Sequence, residues 1–168
     1  MQIASAPDRP IDPRLHPLRR LIRSIRIARL RLLLGRKLDL GSNVVFGADA
    51  VLLPPSYARF GNNVYVGRQF HLETNLVVGD DVLISSRVAI VGNDHRYGEG
   101  LETIVSAGRL PPATVRIEGE NLIGFGAIIV GAVTIGRGTV VGAGSVVVND
   151  LPPGKICVGV PAAPIKDR

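Results

Sequence analysis

Residues 117–152 read IEGENL IGFGAI IVGAVT IGRGTV VGAGSV VVNDLP, and each block of six opens on an aliphatic residue: Ile117, Ile123, Ile129, Ile135, Val141 and Val147. A helix repeats its apolar face about every 3.6 residues and a half-buried strand about every 2. A strict period of six fits neither. It describes short strands joined by turns and stacked on copies of themselves, a β-helix.

Outward from that stretch the same phase runs through Phe60, Val66, Leu72, Val78, Ile84 and Ile90, and before them through Leu40, Phe46 and Leu52. All fifteen positions are apolar in a chain that is 46% hydrophobic. Chance would give that roughly once in 10⁵ trials for a fixed phase, so the period is a property of the fold. Glycine follows in eight units, at 41, 47, 61, 67, 79, 124, 136 and 142. Glycine there predicts corners that need positive φ or close backbone approach.

Two interruptions divide the array. Pro54 and Pro55 break the first block, and the two extra residues Ala58 and Arg59 shift the phase before Phe60, which predicts a bulge at a corner. The larger break follows Ile90-Val91-Gly92-Asn93-Asp94-His95. Residues 96–116 then carry Tyr97, Gly98, Gly100, Gly108, Pro111 and Pro112 and no hexapeptide. Long loops inside compact domains are usually functional. A single His in a β protein is most often a surface residue, but His95 closes a hexapeptide at a corner and the one long loop starts beside it. After Val147 the array ends in Asn149-Asp150-Leu151-Pro152-Pro153, where proline is expected to close the strand edge.

The chain has 168 residues, enough for one stacked core and an N-terminal extension. Trp is absent and aromatics are few, which suits a narrow prism filled by Val, Ile and Leu. Cys157 has no internal partner for a disulfide and reads as a small apolar residue, in keeping with a reducing, cytoplasmic setting. The first dozen residues contain Asp8, Arg9, Asp12 and two prolines with no apolar run after them, so no signal peptide is expected.

The net charge of +6 is concentrated in residues 1–39, which hold ten Lys or Arg and three Asp; the rest sums to −1. The solenoid has no basic strips interleaved with aromatics, and no nucleic-acid partner is expected. Residues 1–13 are polar and Pro-rich and are expected to be disordered or extended. From 15 to 34 a helix is predicted, with Leu18, Leu21, Ile22, Ile25, Ala28 and Leu32 on one face and Arg19, Arg20, Arg23, Arg26 and Arg31 on the other, stopping at Gly35. One reading has this helix cover the open end of the prism. A second lays residues 15–34 on an anionic membrane surface, at the inner face of the membrane.

The hexapeptide phase, the segment Asn93-Asp94-His95 and the closing Gly159-Val160-Pro161-Ala162 resemble those of the hexapeptide-repeat acyltransferases, sugar O-acetyltransferase-like members in particular. The resemblance covers about residues 40–165. It implies an all-β fold, a left-handed parallel β-helix of about five coils with three hexapeptides to a coil, carrying an N-terminal amphipathic helical extension and a long loop after the third coil. The expected divisions are 1–39, the extension; 40–153, the β-helix with the excursion 96–116; and 154–168, a tail that folds back beside the last coils.

The resemblance further implies an acetyl-CoA-dependent O-acetyltransferase, a homotrimer with sites between subunits, acting on a hydroxyl of a sugar or glycan. His95 is then the general base of direct transfer, since a neutral imidazole can take the proton that makes a hydroxyl nucleophilic. Glu118 and Glu120, just after the loop, are candidates to hold its other ring nitrogen. Asp94 should point the opposite way. His71 also closes a hexapeptide, on a different face of the same subunit, and could line a cleft between subunits; Asn75 is a further acceptor-side candidate. Arg96, Tyr97, Glu99 and Arg109 of the loop suit stacking on and hydrogen bonding to a sugar. By family motif, Gly124, Phe125, Ala143 and Lys166 are expected along acetyl-CoA, the last at a phosphate. Ala163, where many members have Arg or Lys, and Leu122, where Trp is common, depart from the pattern.

Two other classes stay open. A non-catalytic scaffold is one, because fold alone does not fix function. The other is a zinc-dependent carbonic anhydrase, which needs three His ligands; with His16 in the extension, His71 and His95 lack a third, and no metal is expected.

Overall fold

The computed structural model describes residues 16–92, 94–98, 100 and 103–168. The extended start expected over residues 1–13, and Asn93 and Glu99 of the predicted site, lie outside the described residues. The chain opens with helix α1 (His16–Leu34) and a 3-10 turn, Gly35–Lys37. Coil 1 is β1 (Leu38–Leu40), β2 (Val45–Phe46) and β3 (Val51–Leu52). Coil 2 is β4 (Ala58–Phe60), β5 (Tyr65–Val66) and β6 (His71–Leu72); coil 3 is β7 (Asn75–Val78), β8 (Leu83–Ile84) and β9 (Ala89–Val91). Coil 4 is β10 (Thr114–Ile117), β11 (Leu122–Ile123) and β12 (Ile128–Val130), and coil 5 is β13 (Thr134–Ile135), β14 (Val140–Val141) and β15 (Val146–Val147). Last come β16 (Lys155–Gly159) and β17 (Ala162–Asp167).

Each coil gives one strand to each of three parallel sheets: A (β1-β4-β7-β10-β13), B (β2-β5-β8-β11-β14) and C (β3-β6-β9-β12-β15). The result is the left-handed β-helix that the sequence predicts. At a strand spacing of about 4.8 Å, five coils stand roughly 24 Å tall. Prolines 152 and 153 do not end the pairing on every side, contrary to expectation. Sheet B gains a sixth level when β16 pairs parallel with β14, Val140 beside Ile156 and Val141 beside Cys157. β17 then turns back antiparallel on β16, and a Lys155–Asp167 ion pair joins the two.

Fourteen of the fifteen period-six residues are buried; Leu40, at the open end, is half-buried. A second inward column stands four residues after most of them, though not at the irregular corners, where Ser56 and Asp94 are exposed: Val64, Phe70, Val82, Val88, Ala127 and Val133 are all buried, and in coils 4 and 5 the same place holds Asn121, Thr139 and Ser145. These three polar groups are paired with backbone. Asn121 Oδ1 accepts from Gly119 N at 2.8 Å while its Nδ2 donates to Gly136 O at 2.7 Å and Thr139 O at 3.0 Å. Thr139 Oγ1 donates to Pro152 O, and Ser145 Oγ accepts from Gly159 N.

The eight corner glycines are needed for close approach alone. None of them has positive φ; a Cβ on Gly79 would stand 2.3 Å from the carbonyl oxygen of Glu118 in the coil above. The left-handed residue comes two positions later, at Asn43, Asp49, Asn63, Gln69, Asp81, Gly126, Gly138 and Gly144, and likewise at Arg87 and Glu120 after Ser85 and Glu118. Ala58 and Arg59 are strand residues of β4, so the extra length expected there sits in the corner Leu53–Tyr57 instead.

Helix α1 covers the open end of coil 1, but not with the face that the sequence suggests. Ile27, Leu30 and Leu34 pack against the core, and Arg26 Nη1 donates to Phe46 O at 3.4 Å. Leu18, Leu21, Ile22, Ile25 and Leu32 point outward and are exposed. The helix has two apolar stripes, and the short 3-10 link to β1 turns the smaller one onto the prism.

Candidate active site

Where sheet C hands over to sheet A, the chain leaves the array after β9 and returns at β10. The excursion is a hairpin rather than an open loop. His95 and Arg109 form an antiparallel bridge, Arg96 N donates to Gly108 O at 2.9 Å and Leu110 N donates to Asp94 O at 2.8 Å. A turn at its far end is closed by Ala107 N donating to Thr103 O. Its predicted extent of 96–116 is too long at the return, because Thr114, Val115 and Arg116 already belong to β10.

His95 sits at the root of this hairpin. Its ring is half-buried, and Nδ1 is sealed from solvent without a hydrogen-bond partner. An unpaired ring nitrogen covered by the protomer's own atoms costs on the order of 1–3 kcal/mol. Asp94, Arg96 and Tyr97 are exposed, Tyr97 to 77%. Arg109, opposite His95, is exposed and engaged.

Glu118 and Glu120 do not reach His95. Strand β10 carries the chain along sheet A before they appear, so both stand at the next corner, between sheets A and B. There Arg137 holds them: its backbone N donates to Glu118 Oε2 at 3.0 Å, and its guanidinium pairs with Glu120 Oε1 at 3.0 Å. His71 lies in β6 on sheet C, where Nε2 meets Glu73 Oε1 at 2.9 Å.

Asn75 is buried at the start of β7, and its Oδ1 accepts from Ser56 N at 2.9 Å and Tyr57 N at 3.1 Å. It ties the irregular corner of coil 1 to coil 3. Thr74 Oγ1 donates to Ala113 O, and the hydroxyls of Tyr57 and Thr114 meet at 3.0 Å. Together these bonds fix the returning end of the excursion. Tyr57, Thr74 and Thr114 were not apparent from the sequence, because the period-six pattern is silent about corners where it slips.

Gly124, Phe125 and Ala143 stand together at the corner between sheets B and C. A Cβ on Gly124 would be 2.5 Å from Ala143 N, so the two coils touch backbone to backbone here. Phe125 is half exposed, and the Arg87 guanidinium lies 5.6 Å from its ring centroid. Arg87 is the counterpart of Gly126 one coil below, next to Phe125, a neighbour that the repeat register alone could have supplied. Lys166 is exposed on β17, beside Ile156. Gly124, Phe125 and Ala143 stand at one edge of sheet C and His95 at the other, whereas Lys166 lies on sheet B at the end nearer sheet A. Residues 125–131 run across sheet C for about 20 Å at strand rise, so one protomer does not bring the two edges together.

Two cavities of about 540 and 420 Å³ flank α1, and neither is lined by His95. Among the described residues no group of three or more His, Cys, Asp or Glu side chains is placed to hold a metal ion.

The chain is 33% identical over 129 residues to a galactoside O-acetyltransferase of Escherichia coli K12, a match spanning 72% of this chain and 62% of that protein. It thus spans under two thirds of the length of that relative. Among solved structures, a hexapeptide-repeat-containing acetyltransferase from Vibrio cholerae superposes with a TM-score of 0.69 at 25% identity, over 86% of this chain and 80% of that one. A galactoside acetyltransferase in complex with coenzyme A superposes with a TM-score of 0.56 at 27% identity, over 84% and 70%. No family model matches the chain.

Proposed function

We propose that this chain, which belongs to the hexapeptide-repeat acyltransferases of left-handed β-helix fold, transfers an acetyl group from acetyl-CoA to a hydroxyl of a sugar or glycan. The observation that carries the reading is the long break in the array, which leaves from His95 and returns beside it. Galactoside O-acetyltransferases among the relatives, one of them solved with coenzyme A, support the donor and the acceptor class.

In this reading the open edge of the His95 imidazole takes the acceptor's hydroxyl proton as the oxygen attacks the thioester carbonyl. The new ester C–O bond forms, the C–S bond breaks, and the proton passes to the departing thiolate. For Nε2 to accept, the proton of the neutral ring must sit on Nδ1, the sealed nitrogen that has no partner in the protomer. A homotrimer would set the His95 edge of one copy against the Gly124–Phe125–Ala143 edge of the next, uniting residues that one protomer keeps apart. The outward column of sheet B, with Tyr65, Leu83 and Leu122 exposed, offers apolar surface for such an assembly. Arg96 and Tyr97 on the hairpin then face the acceptor, while Gly124, Phe125, Ala143 and Lys166 hold the donor.

The test is free-thiol release from acetyl-CoA with a panel of sugars, for the wild type and His95→Ala. Loss of a general base should cut kcat/KM by about 10²–10⁴-fold. Stabilisation by the donor, about 2.7 kcal/mol at 100 times its Kd, should persist in the variant. Thiol release at the wild-type rate in His95→Ala would remove the mechanism. No thiol release and no thermal shift with the wild type would favour a non-catalytic scaffold.

A further inference from the structure

Helix α1 spends its smaller apolar stripe on the prism and turns its larger one away from it. Leu18, Leu21, Ile22, Ile25 and Leu32 are 53%, 57%, 39%, 57% and 85% exposed. At 100° per residue they share one side of the helix, opposite Ile27, Leu30 and Leu34, which pack on coil 1. The apolar surface continues past the helix. Leu33, 68% exposed, lines the 540 Å³ cavity with Leu53 and Val51, themselves 58% and 43% exposed. Arg29 and Asp49 also line that cavity, and a largely apolar exposed surface of this kind marks something that covers it.

Charge identifies the cover. Residues 16–37 contain eight Lys or Arg and no Asp or Glu. Arg29 is exposed within the stripe, Arg31, Arg36 and Lys37 are exposed beside it, and Arg23 is exposed on the other side of the helix. A second copy of the same helix would bring like charge against like charge. An anionic surface does the reverse. Among the described residues no helix is long and apolar enough to cross a membrane, so the helix would lie on the surface.

We propose that α1 docks this protein on an anionic phospholipid membrane, with Leu18, Leu21, Ile22, Ile25 and Leu32 entering the acyl boundary and the arginines meeting phosphate headgroups. Ile27, Leu30 and Leu34 clamp the helix across the end of the prism, so the coil axis stands away from the lipid plane. His95, at the junction of coils 3 and 4, then stands above the surface. Membrane docking does not depend on the acyl-transfer reading, and its test uses no activity.

The full chain is sedimented with phosphatidylcholine vesicles, with and without phosphatidylglycerol, beside Leu21→Ser/Ile25→Ser and Arg29→Glu. The changed side chains are exposed, so both variants should keep the wild-type Tm. Binding is expected only to the vesicles with phosphatidylglycerol, weakening by about tenfold or more in each variant and falling with added salt. Equal binding of wild type and variants, or no binding to anionic vesicles, overturns the proposal. So does a smaller oligomer for Leu21→Ser/Ile25→Ser by sedimentation equilibrium, which would make the stripe a contact between copies.

Discussion

Two of the prism's three corners repeat one turn, and the third does not. Between sheets A and B and between sheets B and C, the chain passes coil after coil through a small residue pressed on the backbone above and a left-handed residue two places later, as in Gly61 with Asn63 and Gly67 with Gln69. Between sheets C and A the corners are Leu53–Tyr57, Glu73–Thr74, the His95 hairpin, Gly131–Val133 and Val148–Asp150, all different. Regular corners are constrained by the stack above and below them. The irregular corner is relieved of that constraint, and that is where an insertion and an unpaired imidazole can be carried.

The largest effect expected from this contrast is Gly79→Ala at a regular corner. Its Cβ would stand 2.3 Å from Glu118 O and 3.1 Å from Gly119 N, both backbone atoms, so coil 4 must shift. A loss of about 3 kcal/mol is expected, or roughly 6–12 °C in Tm. Gly108→Ala, on the hairpin, has φ +74° but no atom within 4 Å of the new Cβ. It should cost about 1 kcal/mol or less. Equal Tm losses in the two variants would break the distinction between stacked and free corners.

A second pair compares two buried asparagines. Asn121 makes three hydrogen bonds to backbone inside the regular A–B corner. Asn121→Ala should cost about 2–3 kcal/mol, because the orphaned groups are out of reach of water. Asn75 makes two, to Ser56 N and Tyr57 N, and Ser56 is exposed. Asn75→Ala should cost about 1 kcal/mol by urea unfolding, with water replacing part of the loss. It should also loosen the corner under the excursion and raise hydrogen exchange at Tyr57. Unchanged exchange there would mean that Asn75 does not brace the site.

The solenoid was legible because one residue in six must be apolar wherever a two-residue strand meets a narrow core, and a chain of fifteen such residues is hard to misread. The second inward column was just as regular and went unread, because in coils 4 and 5 it holds Asn121, Thr139 and Ser145, which look like surface residues until their backbone partners are known. The helix was legible but its orientation was not: with two apolar stripes, the choice lies in the short link Gly35–Lys37 rather than in the pattern. His95 was found through the break that it borders. Its supposed partners Glu118 and Glu120 were not near it, since nearness in sequence across a returning strand is distance around the prism.

The smallest effect concerns Arg87, where the regular corner and the proposed donor edge coincide. Arg87 has φ +60°, a strained value for a residue with a Cβ, and three contacts oppose the strain: its Nε donates to Gln69 Oε1 at 2.9 Å, its backbone N donates to Arg68 O, and its guanidinium lies over Phe125. Arg87→Ala removes the side-chain contacts and keeps the strain, for an expected loss of about 1–2 kcal/mol. Arg87→Gly removes the same contacts and relieves about 1 kcal/mol of strain, so it should stay near wild-type stability. The gap between the two variants, read as about 2–4 °C in Tm, measures the left-handed turn by itself. If alanine and glycine lose the same stability, the turn is not strained and the regular corners are held by backbone stacking alone. If glycine is the worse of the two, the chain entropy that glycine adds to the unfolded state outweighs the strain that it relieves in the turn.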